Sequence, residues 1–169
     1  MTRAFVFGMF LVGCSKGSLS LDDSDTDSVY EDPYAGRFDP DHVMKVDIQM
    51  NSGDWDELRE QGRSMREIIE QLCSEQPFED VFDYFPATVT VDGVEVEQVG
   101  VRKKGFLGSL SESKPSLKIT FHAYLPDQRL DGMKRLTLNN ANQDASMLNT
   151  CLSYEVFRAA GYPAPRCSF

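Results

Sequence analysis

Three cations stand where a phosphate-bearing ligand could be held. Arg102 and Lys104 fall two residues apart at the end of an alternating run, immediately before a stretch of Gly, Ser and charge from Gly105 to Lys114. Lys118 follows inside a second apolar run, flanked by Leu117, Ile119 and Phe121. Side chains of an extended strand alternate between faces, so Arg102 and Lys104 share one face. Glycine-containing loops let backbone amides approach phosphate oxygens, and a strand-borne lysine beside them supplies a point charge. A nucleotide triphosphate is clamped in this way, although the spacing matches neither the Walker pattern nor the usual kinase glycine loop. A second reading stands beside it: a row of solvent-facing cations on an exposed sheet edge, which discourages aggregation.

Other chemistry is less well supported. Asn139, Asn140 and Asn142 lie between a strand and a helix, where asparagine side chains satisfy backbone groups, so they read as structural. His42 and His122 stand alone, and there is no C-x-x-C pair or histidine cluster to suggest zinc. Asp23, Asp25 and Asp27 have the spacing of a calcium loop, but Ser28 and Tyr34 occupy the positions where an EF-hand needs Gly and Glu. That acidic stretch reads as solvated linker. Cys73 reads as a small core residue on a helix face. Cys151 and Cys167 are candidates for a pair in an oxidising compartment, but sequence does not place their Cβ atoms.

The elements that must position these residues begin at Val43. Val43, Met44, Val46, Ile48 and Met50 alternate with polar residues as in a half-buried strand. Asn51-Ser-Gly-Asp54 then opens a helical run to about Cys73, with Ser52 as its cap and an interruption near Gly62. Ala87 to Val91 resumes strand alternation, and Asp92-Gly93 signals a two-residue hairpin turn. The return strand runs from Val94 to about Lys104, followed by strands at Ser116–Tyr124 and Arg135–Asn139. A last helix is punctuated by Asp144 as N-cap, Gly161 just past its end and Pro163 beyond. The expected fold is α+β, an antiparallel sheet of about five strands with two main helices.

With 169 residues, one folded domain is the natural expectation, and the net charge of −10 argues against nucleic-acid binding. Arg3, the apolar stretch Ala4 to Gly13 and the tetrad Leu11-Val-Gly-Cys14 read as a bacterial lipoprotein signal. The Cys14 thiol would take the diacylglyceryl group and tie the protein to a membrane. The stretch is too short for a spanning helix. Ser15 after the cysteine favours the outer membrane in a Gram-negative cell. The expected organisation is a signal at 1–14, an acidic flexible tether at 15–37 and a domain at 38–169.

The motif order carries a resemblance. Val99-Gly-Val-Arg-Lys-Lys-Gly105, Lys114-Pro-Ser-Leu-Lys-Ile-Thr-Phe121, Leu136-Thr-Leu-Asn-Asn140, Asp144-Ala-Ser-Met-Leu148, Tyr154-Glu-Val-Phe-Arg-Ala-Ala-Gly161 and Pro163-Ala-Pro-Arg166 follow one another as in the CotH kinase family. The chain resembles that family from about Val43 to Phe169. The resemblance implies an atypical protein kinase that moves the γ-phosphate of ATP to protein hydroxyls with Mg²⁺. This chain would correspond to its smaller N-terminal lobe.

Arg102, Lys104 and Gly105 match the family's R-x-K-G strand end, and Lys118 matches the second lysine of its K-P-S-x-K segment. Lys103 departs from the family, which usually carries a hydrophobic or aromatic residue there. Leu148, Cys151 and Leu152 fall at helical spacing in the last helix, so Glu155 borders a stripe expected to be buried. By analogy with kinases, Lys118 would contact nucleotide phosphates and Glu155 would orient it. The alternative is a carboxylate at the helix edge, paired with Arg158 or solvent.

A family member would continue past Phe169 into the lobe bearing metal-binding carboxylates. The expectation is therefore an N-terminal part with negligible activity by itself and an exposed apolar surface at the sheet-helix edge where the second lobe would dock. The alternative is a non-enzymatic cell-surface lipoprotein that binds a protein or glycan.

Overall fold

The computed structural model describes residue 34 and residues 36–39, 41–70, 80–106 and 108–169. Cys14, Cys73 and the tether up to residue 33 lie outside the described residues. Five strands form one sheet in sequence order: β1 (Val46–Met50), β2 (Phe85–Val91), β3 (Val94–Lys104), β4 (Ser116–Thr120) and β5 (Arg135–Leu138). Every neighbouring pair is antiparallel. Among the described residues three helices accompany them: α1 (Ser52–Glu60), the short α2 (Met65–Glu70) and α3 (Asn149–Ala159). The α+β expectation, with α1 and α3 as the main helices, describes the molecule.

The hairpin turn is as the Asp-Gly pair requires, with φ +49° at Asp92 and +84° at Gly93. Asp92 does more than turn the chain. Its carboxylate accepts from the Lys45 amide at 2.9 Å and lies 3.1 Å from His42 Nε2 and 3.3 Å from Arg37 Nη1. Burial works to raise the Asp92 pKa, but these partners outweigh it and hold the carboxyl below the usual range. Arg37, assigned to the tether, also donates to Asp131 at 2.8 Å from Nε. The chain is thus fastened to the domain just ahead of β1.

One irregularity decides which face each later residue of β3 takes. Ala87 pairs with Val99 and Val89 with Val96, so β3 carries one more residue than β2 over this span. Gln98 within that bulge has φ +54°. The extra residue resets the alternation, so that Val99 and Val101 lie on the same face as Val96. That face is the core side, where Val89, Val91, Val99, Val101, Ile119 and Leu58 of α1 are fully buried. The opposite face therefore receives Gly100, Arg102 and Lys104.

The helix ends differ in detail from the expectation. Asn51, not Ser52, caps α1, accepting from the Gly53 amide at 2.8 Å. Asparagine is as good a cap as serine, and the chain already turns helical at Ser52. The helical run breaks at residues 61–64, as Gly62 suggested.

The last helix starts later than Asp144, at Asn149, with Leu148 as an N-cap that makes no side-chain bond. Asp144 serves it from five residues upstream, accepting from the Asn149 amide at 2.8 Å and from Ser146 Oγ at 2.6 Å. Gly161, at φ +81°, ends α3. The Gly161 amide donates to Arg158 O and the Tyr162 amide to Phe157 O, both at 2.9 Å, the two bonds of a Schellman motif.

The stripe Leu148, Cys151 and Leu152, expected to be buried, is exposed at both leucines and only half-buried at Cys151, and Val156 beside the leucines is exposed too. Leu148, Leu152 and Val156 are 50%, 63% and 64% exposed, and α3 has no buried residue. Tyr154 and Arg158, on the Cys151 side of the helix, are half-buried as well. Arg158 Nη1 donates to Pro165 O at 3.1 Å, so the returning tail lies against that side. Cys151 is disulfide-bonded to Cys167, which settles the pairing that sequence left open.

Candidate functional site

The three cations meet on the sheet face turned away from α1. Arg102 on β3 stands directly opposite Lys118 on β4, and Lys104 stands opposite Ser116. Lys104 and Lys118 are consequently diagonal neighbours on one face, about 7–8 Å apart at their backbones. Arg102 is held on its other side. Its guanidinium lies 5.5 Å from the Tyr84 ring centroid and 5.9 Å from that of Phe82, and Nη1 is 3.4 Å from Asp80 Oδ1. Its buried Nε has no hydrogen-bond partner among the described residues.

Lys104 Nζ donates to Asn139 Oδ1 at 2.6 Å. Burial lowers its pKa, and the neighbouring Lys118 charge lowers it further. Neither Lys104 nor Lys118 takes part in an ion pair among the described residues. The Tyr84 hydroxyl lies 3.1 Å from Thr120 Oγ1 on the same face. Burial works to raise its pKa, but the Thr120 contact and the Lys118 and Arg102 charges leave it lowered. An acidic protein thus concentrates unneutralised positive charge at one place on its sheet.

The loop beside this cluster is held by asparagines. Asn140 Nδ2 donates to Ser109 O at 2.9 Å and to Lys114 O at 3.0 Å, and Asn142 Nδ2 donates to Gly108 O at 2.9 Å. Asn140 is buried, and its own amide donates to Ser116 Oγ at 3.0 Å. Both side chains therefore satisfy backbone carbonyls. Ser109 Oγ closes the loop locally, accepting from the Phe106 amide and donating to Phe106 O. Gly105 has φ +140°, and a Cβ there would sit 3.0–3.3 Å from Ser109 and Leu110 atoms. Only glycine fits that turn comfortably.

Lys103 lies on the core face, 98% buried, with Nζ donating to Arg59 O at 2.5 Å. It satisfies a carbonyl in the last turn of α1, where a cation also complements the helix dipole. Burial lowers its pKa, with Glu112 pulling the other way. The run Arg102-Lys-Lys104 thus splits by face, and the family departure at Lys103 falls outside the cation cluster.

Glu155 is not brought to Lys118. Its carboxylate bonds to Arg158 one turn on, the other arrangement considered for it. Cys14 lies outside the described residues. Tyr84, Thr120 and Asn139 join the cluster without having been picked out from sequence as its members. The only available signal was cross-strand position, which depends on the register.

A mixed sheet-and-helix domain thus presents three cations beside a fixed loop, a surface that can meet a polyanion. Residues 101–169 match the family model described as CotH kinase protein, about two fifths of the chain. The resemblance to that family holds over this segment, which contains Arg102, Lys104, Gly105, Lys118 and Glu155. It starts within β3, so β1, α1 and β2 lie outside it. No curated protein and no solved structure matches the chain.

Proposed function

We propose that the face carrying Arg102, Lys104 and Lys118 binds the phosphates of ATP, as part of a kinase-like protein that transfers phosphate to protein hydroxyls. The observation that carries this reading is the pair Lys104 and Lys118. They are two lysines on adjacent strands with no carboxylate partner among the described residues, beside a loop fixed by Asn140 and Asn142. Two like charges held together this way repel, and a bound polyanion removes that cost. Arg102 would supply a further contact by leaving Asp80, whose carboxylate is largely in water and so holds it weakly.

Mg²⁺ is implied for the transfer step. Among the described residues no group of His, Cys, Asp and Glu is arranged to hold a metal ion, so the reading stops at phosphate binding. The test is titration of the purified chain with ATP and with inorganic triphosphate, followed by calorimetry. Lys118→Ala should weaken both about tenfold or more, as loss of a charged contact does. Affinity should fall as pH rises through the lowered Lys104 pKa, because the anion prefers the protonated amine. Equal affinity in wild type and Lys118→Ala would remove the site.

The proposal keeps the lipid anchor at Cys14 and an envelope location. Acylated protein would show the mass of the lipid on its N-terminal peptide, and a free Cys14 thiol in the protein from its own cell would end that part. The exposed Leu148–Leu152–Val156 stripe favours a second reading, a surface module that binds a protein partner. Unaltered partner capture by Lys118→Ala, with no nucleotide binding in either form, would support it.

A further inference from the structure

The last residues of the chain run back along α3 and end at the approach to β1. Gly161 reverses the direction, Arg158 bonds Pro165 O, and Cys167 is joined to Cys151 in the first turn of α3 with a Cα–Cα distance of 5.3 Å. Over the next two residues, Ser168 Oγ donates to His42 O at 2.9 Å, and Phe169 O accepts from the Met44 amide at 2.7 Å. Residues 42–44 precede β1, an outer strand of the sheet. The tail therefore links α3 covalently at one end and by hydrogen bonds to the sheet margin at the other.

Among the described residues nothing comparable holds α3 from its apolar side. It has no buried residue, and Leu148, Leu152 and Val156 remain largely in water. A helix of 11 residues is marginal in isolation, since nucleation is costly and packing normally supplies the stability. Its end caps are internal to the 144–162 segment and do not fasten it to the sheet.

We propose that the Cys151–Cys167 disulfide is a redox latch that keeps α3 helical and fastened at the β1 margin. Both cysteines are half-buried, so a small dithiol can reach them. The step balances as ordinary thiol–disulfide exchange. A thiolate of the dithiol attacks one protein sulfur, the Cys151–Cys167 bond breaks, and the other sulfur leaves as a thiolate that takes a proton. The second reductant thiol then resolves the mixed disulfide. The dithiol becomes a disulfide, and the protein gains two electrons and two protons. Reduction leaves the sheet intact but lets the tail and α3 separate from residues 42–44. Because α3 carries Glu155, the redox state then sets where that carboxylate can go.

The experiment is amide hydrogen exchange on the full chain, oxidised and after dithiothreitol, with thiol alkylation confirming reduction. Cys151→Ser/Cys167→Ser is run beside them as a reductant-free control. The expected result is a rise of about tenfold or more in exchange across residues 149–159 on reduction and in the double variant. Amides of β2, β3 and β4 should exchange as before. Unchanged protection of α3 after proven reduction overturns the latch, and so does an α3 already unprotected in the oxidised protein. Loss of protection in the sheet as well would make the bond a global staple and also overturn it.

Discussion

The two main helices are similar in length and kept in place by different means. α1, nine residues long, sends Leu58 completely into the core, leans Trp55 against it, and has a C-terminal carbonyl bonded by Lys103 from β3. α3, eleven residues long, has no fully buried residue and is closed by its own caps and a disulfide to the tail. Both carry apolar residues at helical spacing, Trp55 and Leu58 on α1 and Leu152 and Val156 on α3. The pattern says that a helix is amphipathic, but not what covers it. α1 belongs to the sheet's core, whereas α3 is fastened from its polar side and leaves its stripe free.

The largest effect should come from taking away α1's hold. Leu58→Ala removes a fully buried side chain from a packed site, and such truncations cost about 2–5 kcal/mol. Leu152→Ala removes a side chain already 63% exposed, and surface changes of this sort stay within about 0.5 kcal/mol. Alanine's better helix propensity works in its favour. Urea unfolding of the two variants and the wild type measures both. A Leu152→Ala cost approaching that of Leu58→Ala would mean that α3 is packed after all, and the contrast between the helices would fail.

How far these arrangements could be read from sequence follows the range of the forces that set them. The strands were legible because a half-buried sheet imposes a period of two, and Asp92-Gly93 names its own turn. The bulge at Gln98 was not, because glutamine carries no marker for positive φ. The pairing of the cations was half legible. Alternation put Arg102 and Lys104 together and Lys103 opposite, but Lys118 met Arg102 only through the register. Tyr84 and Thr120 joined for the same reason. Asp144 was recognised as serving the last helix, but its reach over five residues was not, since its Asn149 and Ser146 bonds depend on the loop's path. Glu155 illustrates the limit: helical spacing placed it beside the stripe, yet only docking could decide whether the stripe met the sheet.

A smaller effect tests the other end of α1's attachment. Lys103→Met keeps the length and apolar stem of the side chain but removes the ammonium bonded to Arg59 O. Two consequences oppose each other. A hydrogen bond from a charged donor is lost, a term of about 1.5–3 kcal/mol, and the desolvation of a buried charge, of comparable size, is relieved. The net change near neutral pH should therefore be within about 1 kcal/mol. The pH dependence is more telling.

Burial lowers the Lys103 pKa in the folded chain below its unfolded value, so between the two values the unfolded chain holds more protons. Wild-type stability should gain from this group as pH rises from the folded pKa towards the ordinary lysine value. Lys103→Met cannot show that gain. Urea midpoints at neutral and alkaline pH, compared between wild type and variant, isolate the group from the other titrating residues. Parallel curves would mean that the ammonium is not strained by burial, and that Lys103 fastens α1 at no cost to the fold.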